Sequence, residues 1–207
     1  MIDPLDDIDD PAQVDSPAGL HAEPVLPASA ATPPLPKPRL GEILLPFLIT
    51  VTVLLIDQVT KNLVETRIPL YGYWAPIPAL ANFFRITHTA NTGAVFGLFR
   101  GSGWFFAILA VIVAAAIVYF NVTLPGQQRL LRLALGLQLG GALGNLVDRL
   151  RQGHVTDFID VGPWYIFNVA DMALVGGVIL FGIVLLRDER RLRASEPAAL
   201  HPAEPQE

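Results

Sequence analysis

Four apolar segments, residues 43–63, 103–120, 130–147 and 170–186, dominate this chain. Each approaches the ~20 residues a helix needs to cross a bilayer. Inside a bilayer every backbone N–H and C=O must be paired within the protein, which leaves helices or a closed barrel as spanning structures. Four helical spans are therefore the constraint that any fold of this chain must meet. Composition agrees: 52% of residues are hydrophobic and 16% charged, where a soluble domain carries about 25% charged residues. The third segment is the least apolar, and its GLQLGGALGN run suits close helix packing better than lipid contact.

The ends of the chain read differently. Residues 1–36 are rich in Pro, Ala and Asp, carry Asp3, Asp6, Asp7, Asp9, Asp10, Asp15 and Glu23, and contain no Lys or Arg. Such a segment buries too little apolar surface to offset its ordering entropy, so a disordered tail is expected. It lacks the basic start and apolar core of a signal peptide. A second disordered tail is expected over residues 194–207, which leaves 37–193 as the folded domain. The net charge of −5 comes from the leader; the remainder is mildly basic, and nothing in it suggests a nucleic-acid partner. The chain has no cysteine, which excludes disulfides, thiolate nucleophiles and Cys-ligated zinc.

Lys and Arg at the segment ends set the expected orientation. Lys37, Arg39, Arg129, Arg132, Arg187, Arg190, Arg191 and Arg193 fall on one side, with both termini, and that side is assigned to the cytoplasm. Lys61, Arg67, Arg85, Arg100, Arg149 and Arg151 fall on the other. Two outer loops result, residues 65–102 and 148–169, each with a β-like run: 83–89 in the first, HVTDFIDV in the second.

The polar residues crowd the outer side. Asp57 and Lys61 end the first helix, Asn91 lies in the first outer loop, and Asn145, Asp148 and Arg149 end the third helix. Asp157 and Asp160 lie in the second loop, and Asn168 and Asp171 head the fourth helix. Ionisable groups at such depth point to function. Each also has a purely structural reading. Asn168 and Asp171 fit an N-cap and its capping-box acid. Asp57 and Lys61 fit an i, i+4 ion pair. Asp148 and Arg149 fit a headgroup anchor, Asp160 a solvated loop acid, and Asn91 a turn residue in ANTG.

The available chemistry is narrow. There is no Gly-rich phosphate loop, and His88 and His154 have no metal-ligand spacing, so neither metal nor cofactor is expected. Ser102 with Lys61 would be the one Ser–Lys nucleophile. Carboxylates remain in quantity. Two close carboxylates share a proton, so one can act as general base on water and the other as general acid. Nearby asparagine amides can polarise a carbonyl or orient the acids. The residues alone do not choose between Asp157 and Asp160. Two other readings use the same acids: a small transporter or proton relay, and a non-catalytic membrane subunit.

Five motifs in order resemble those of lipoprotein signal peptidases (signal peptidase II): DQVTK (57–61), NTGAVFG (91–97), GGALGNLVDR (140–149), HVTDF (154–158) and FNVAD (167–171). The resemblance covers residues 40–190 and implies an all-α membrane protein of four transmembrane helices with a small extracytoplasmic β-cradle. It implies an aspartic endopeptidase of the bacterial inner (cytoplasmic) membrane, multi-pass, with both termini cytoplasmic and the active site at the periplasmic face. Its substrates would be diacylglyceryl-modified prolipoproteins, reached through membrane lipid and cut before the lipobox cysteine. Globomycin-type inhibitors are expected to occupy the site. By motif, the catalytic pair is Asp157 and Asp171. Asn91, Asn145, Arg149 and Asn168 correspond to residues that hold the dyad and substrate, and Asp57, Lys61, Asp148 and Gly93 to structural motif positions. The acidic leader is longer than the family needs, and Val95 stands where alanine is common.

Overall fold

The computed structural model describes residues 36–93 and 103–195. The acidic leader, the segment holding Val95, Arg100 and Ser102, and the tail after Ser195 lie outside the described residues. The chain runs α1 (Leu40–Arg67), β1 (Tyr73–Trp74), a 3₁₀ turn (Pro78–Leu80), β2 (Phe84–Asn91), α2 (Gly103–Thr123), α3 (Arg129–Gln152), β3 (Val155–Val161) and α4 (Val169–Ser195). All four α-helices are long and apolar enough to cross a membrane. They overrun the expected limits at α1, α3 and α4, whose polar end turns continue the helices past the apolar stretch.

α3 is the central helix. Of its membrane-length stretch 67% is buried, against 22%, 17% and 11% for α1, α2 and α4. Its small residues are the reason. Gly136, Gly140 and Gly144 repeat every fourth position and face α1, the spacing that lets two helix backbones approach. A Cβ on Gly140 would lie 2.7 Å from the Val53 Cβ, and one on Gly144 would lie 2.6 Å from the Asp57 carboxylate. The outward faces of α1, α2 and α4 carry exposed Leu48, Leu55, Ile112, Val178 and Ile183. Water would not tolerate such a continuous apolar surface, and lipid favours it.

The three strands form one antiparallel sheet, ordered β1-β2-β3, at the end where α1 and α3 finish and α4 begins. β2 pairs with β3 from Phe84↔Val161 to Asn91↔Val155, with an irregularity between Ile86 and Thr89. Gly153, in the left-handed region at φ 78°, ends α3 and turns the chain into β3. One face of β3 seals the sheet onto α1. Phe158 packs on Val64 and Ile68, and the Thr156 hydroxyl donates to Glu65 at 2.7 Å.

Candidate active site

The site grows from a buried ion cluster. Lys61 is fully buried and uses all three of its donors: Asp57 at 2.8 Å, Asp148 at 2.9 Å and the Asn145 side-chain oxygen at 3.0 Å. A buried charge requires such pairing. Both carboxylates also hold backbone. Asp57 accepts from the Ala170 N–H at 2.9 Å, at the start of α4, and Asp148 from the Thr156 N–H at 3.1 Å, in β3. One cluster thus locks α1, α3, the head of α4 and the strand that carries Asp157. The i, i+4 pair expected within α1 is present, but its second acid comes from α3. Asp148 is fully buried in this cluster, which overturns its reading as a headgroup anchor.

Asp157 and Asp171 face one cavity of about 350 Å³, lined also by Asn91, Asn145, Arg149 and Tyr165. Three asparagines serve the two carboxylates, and each has its amide direction set by a neighbour that can only donate. Lys61 holds the Asn145 oxygen, so its NH₂ turns to Asp171 at 2.8 Å. The Asp171 N–H holds the Asn168 oxygen at 2.9 Å, so its NH₂ donates to Asp157 at 2.7 Å and to the Asn145 oxygen at 3.1 Å. The Gly93 N–H holds the Asn91 oxygen at 3.0 Å, so its NH₂ donates to the other Asp157 oxygen at 2.9 Å. The Asn168 N–H closes the set on Asp171 at 3.2 Å. The turn and capping-box readings of Asn91, Asn168 and Asp171 are therefore met, and the same atoms orient the acids.

Asp157 is only 4% exposed. Burial first, and then the charge of Asp171, push its carboxyl from the ordinary 3.8 up to about 7, against the pull of the Asn91 and Asn168 donors and the Lys61 charge. Tyr165, beside both acids, is raised by burial and by the same two charges. Arg149 reaches the Asn145 carbonyl at 3.2 Å and the Gly93 carbonyl at 3.5 Å, and its guanidinium lies over the Phe106 ring.

Asp160 is placed elsewhere. It lies three residues from Asp157 on β3, hence on the opposite face. It pairs with Arg85 at 2.6 Å and accepts from Thr87. It is 4% exposed within a strand, so the expectation of a solvated loop acid is corrected. Three residues of the site were not anticipated: Gln58, which bridges Asp57 and Asp148; Glu65, which ties Thr156 and Arg151 to α1; and Tyr165. For Tyr165 a signal existed, the aromatic run WYIF directly before Asn168. Among the described residues no three His, Asp or Glu side chains converge as a metal site would require. The Ser102 of the Ser–Lys reading lies outside the described residues.

Fold and cavity together define a class: a four-span membrane protein with a carboxylate pair at one mouth of its helix bundle, the equipment of an aspartic-type peptidase. The family model for signal peptidase (SPase) II matches residues 49–187. A lipoprotein signal peptidase of Desulfitobacterium hafniense is 43% identical over 68% of this chain and 92% of its own length. One from Moorella thermoacetica is 44% identical over 66% of this chain and 89% of its own. A solved structure described as a bacterial membrane enzyme is 34% identical and superposes with a TM-score of 0.67 over 84% of this chain and 99% of its own. The chain belongs to the signal peptidase II family.

Proposed function

We propose that Asp157 and Asp171 are the catalytic pair with which this enzyme removes signal peptides from prolipoproteins, cutting the peptide bond before the diacylglyceryl-modified cysteine. One observation carries the assignment. Asn168 donates its side-chain amide to Asp157 and its backbone N–H to Asp171, so both acids converge on one residue and open into one cavity. The pair shares one proton. The ionised carboxylate takes a proton from water while the hydroxyl attacks the scissile carbonyl. The protonated partner donates to the developing oxyanion. Collapse of the tetrahedral intermediate breaks the C–N bond, and a dyad proton goes to the leaving cysteine nitrogen. Asn91, Asn145 and Asn168 keep the carboxylates in register, and Arg149 holds the turn after β2 against the end of α3.

In this reading the basic ends at Arg129 and Arg187–Arg193 face the cytoplasm, and the sheet and dyad face the periplasm, at the outer edge of the bacterial inner membrane. Substrate lipid arrives sideways from the bilayer, and globomycin-type inhibitors compete for the same cavity.

The test is cleavage of a diacylglyceryl-modified prolipoprotein by purified protein in detergent. Wild type should cut before the lipidated cysteine, folded Asp157→Asn and Asp171→Asn should be inactive, and Asp160→Asn should retain activity. An inactive Asp160→Asn beside an active Asp157→Asn would overturn the dyad assignment. A wild type that never cuts would overturn the function.

A further inference from the structure

Two grooves meet at Asp171. One is the cavity described above, between α2, α3 and α4. The other, of about 400 Å³, lies along a neighbouring face of α4 and shares only Tyr165, Asp171 and Val175 with the first. Its floor is Met172, Val175, Gly176 and Ile179. These are positions i, i+3, i+4 and i+7, a single helix face, so the floor descends α4 from the dyad for about 10 Å. Its roof is Trp164, Tyr165 and Phe167, from the connection between β3 and α4. At Gly176 a Cβ would meet nothing within 4 Å. Glycine there leaves a notch that any side chain would fill.

We infer that this second groove holds one acyl chain of the substrate's diacylglyceryl group while the other chain takes the first cavity, so that the edge of α4 parts the two chains. The inference rests on the prolipoprotein reading above. Three observations favour an acyl chain over peptide. Below Asp171 the lining is apolar or aromatic, so an extended peptide would leave its backbone amides unpaired, whereas an acyl chain has none to pair. The groove runs down a membrane-spanning helix, where lipid chains already are. And it is continuous with the dyad through Asp171 and Tyr165, within tether of a cysteine whose amide bond is being cut. In a membrane, apolar surface gains little by moving from lipid to protein. The groove therefore contributes orientation and chain-number selectivity more than raw affinity.

The test compares cleavage of one lipobox peptide carrying a diacylglyceryl or a monoacylglyceryl cysteine. Wild type should have the lower KM on the diacyl form. Gly176→Phe should raise KM on the diacyl form about tenfold with kcat little changed, leave the monoacyl form unaffected, and so erase the preference. Gly182→Phe, another α4 glycine whose Cβ would meet nothing and which lies outside the groove, should change neither. If Gly176→Phe does not fold, Ile179→Trp in the same floor takes its place. Unchanged KM on the diacyl substrate, an equal rise on both substrates, or a wild type indifferent to chain number would each overturn the inference. An equal rise would instead assign the groove to the signal peptide. A wild type that cuts neither substrate would strike the prolipoprotein reading itself, a different failure.

Discussion

Asp157→Asn should make the protein less stable than wild type at pH 4 and more stable at pH 8. The folded carboxyl titrates at about 7 instead of 3.8, so between those values the native state holds a proton that the unfolded state has released. Stability then falls as pH rises through this window. Wild type carries the full penalty only above about pH 7, and the rise corresponds to about 4 kcal/mol. Asparagine never ionises, so it escapes that penalty. It has a different cost. Both Asp157 oxygens accept from amides, one from Asn168 and one from Asn91. Asparagine keeps one acceptor and sets its own NH₂ against the other donor, a loss of about 1–3 kcal/mol at any pH. The variant should therefore lose about 0.5–2.5 kcal/mol at pH 4, where wild type has met little of the penalty, and gain about 1–3 kcal/mol at pH 8. At roughly 2–4 °C per kcal/mol, thermal unfolding in detergent followed by tryptophan fluorescence resolves the crossover. A variant that is less stable by the same amount at both pH values would refute the raised carboxyl.

The dyad should give a bell-shaped pH profile whose alkaline limb falls near the Asp157 value of about 7. Asn91→Ala removes a donor that favours the ionised form, so that limb should move up by as much as about one pH unit; a downward move in the kcat/KM profile would contradict the assigned hydrogen bond. Lys61→Met leaves Asp57 and Asp148 buried with no cation, and should cost about 3–5 kcal/mol, read as a large drop in unfolding temperature or a failure to accumulate. Arg85→Ala should leave activity within a few-fold of wild type, because its bridge to Asp160 lies on the far face of β3 from the dyad and Arg85 is partly solvated. A loss of activity as deep as that of Asp157→Asn would mean the sheet transmits more than position.

The spans could be read directly because a bilayer leaves the backbone so few options, and the small residues of α3 pointed to close helix packing there. The ends of the helices could not. Glu65 and Arg67 look like loop residues by hydropathy, yet they lie in α1, and Glu65 is held there by Thr156 and Arg151 from elements some ninety positions away. The Asp57–Lys61 spacing announced an ion pair, but nothing local could reveal that Asp148 completes it or that both acids hold backbone N–H groups of β3 and α4. The choice between Asp157 and Asp160 is of the same kind. Three positions apart on a strand puts them on opposite faces, and that much is local. Which face meets the dyad depends on Arg85 opposite Asp160 and on Asn91 reaching Asp157 from the far end of β2. The most consequential property is the least local. An asparagine in a motif has no preferred direction for its amide. Here Lys61, the Asp171 N–H and the Gly93 N–H each take an amide oxygen, and so all three NH₂ groups turn to the carboxylates. Reversing any one of these amides would set its oxygen against a carboxylate and force that acid to hold its proton. The donors that orient the asparagines therefore help decide which acid can ionise. In the proposed mechanism Lys61, fully buried in the ion cluster behind the cavity, would thus serve the proton chemistry as well as the scaffold.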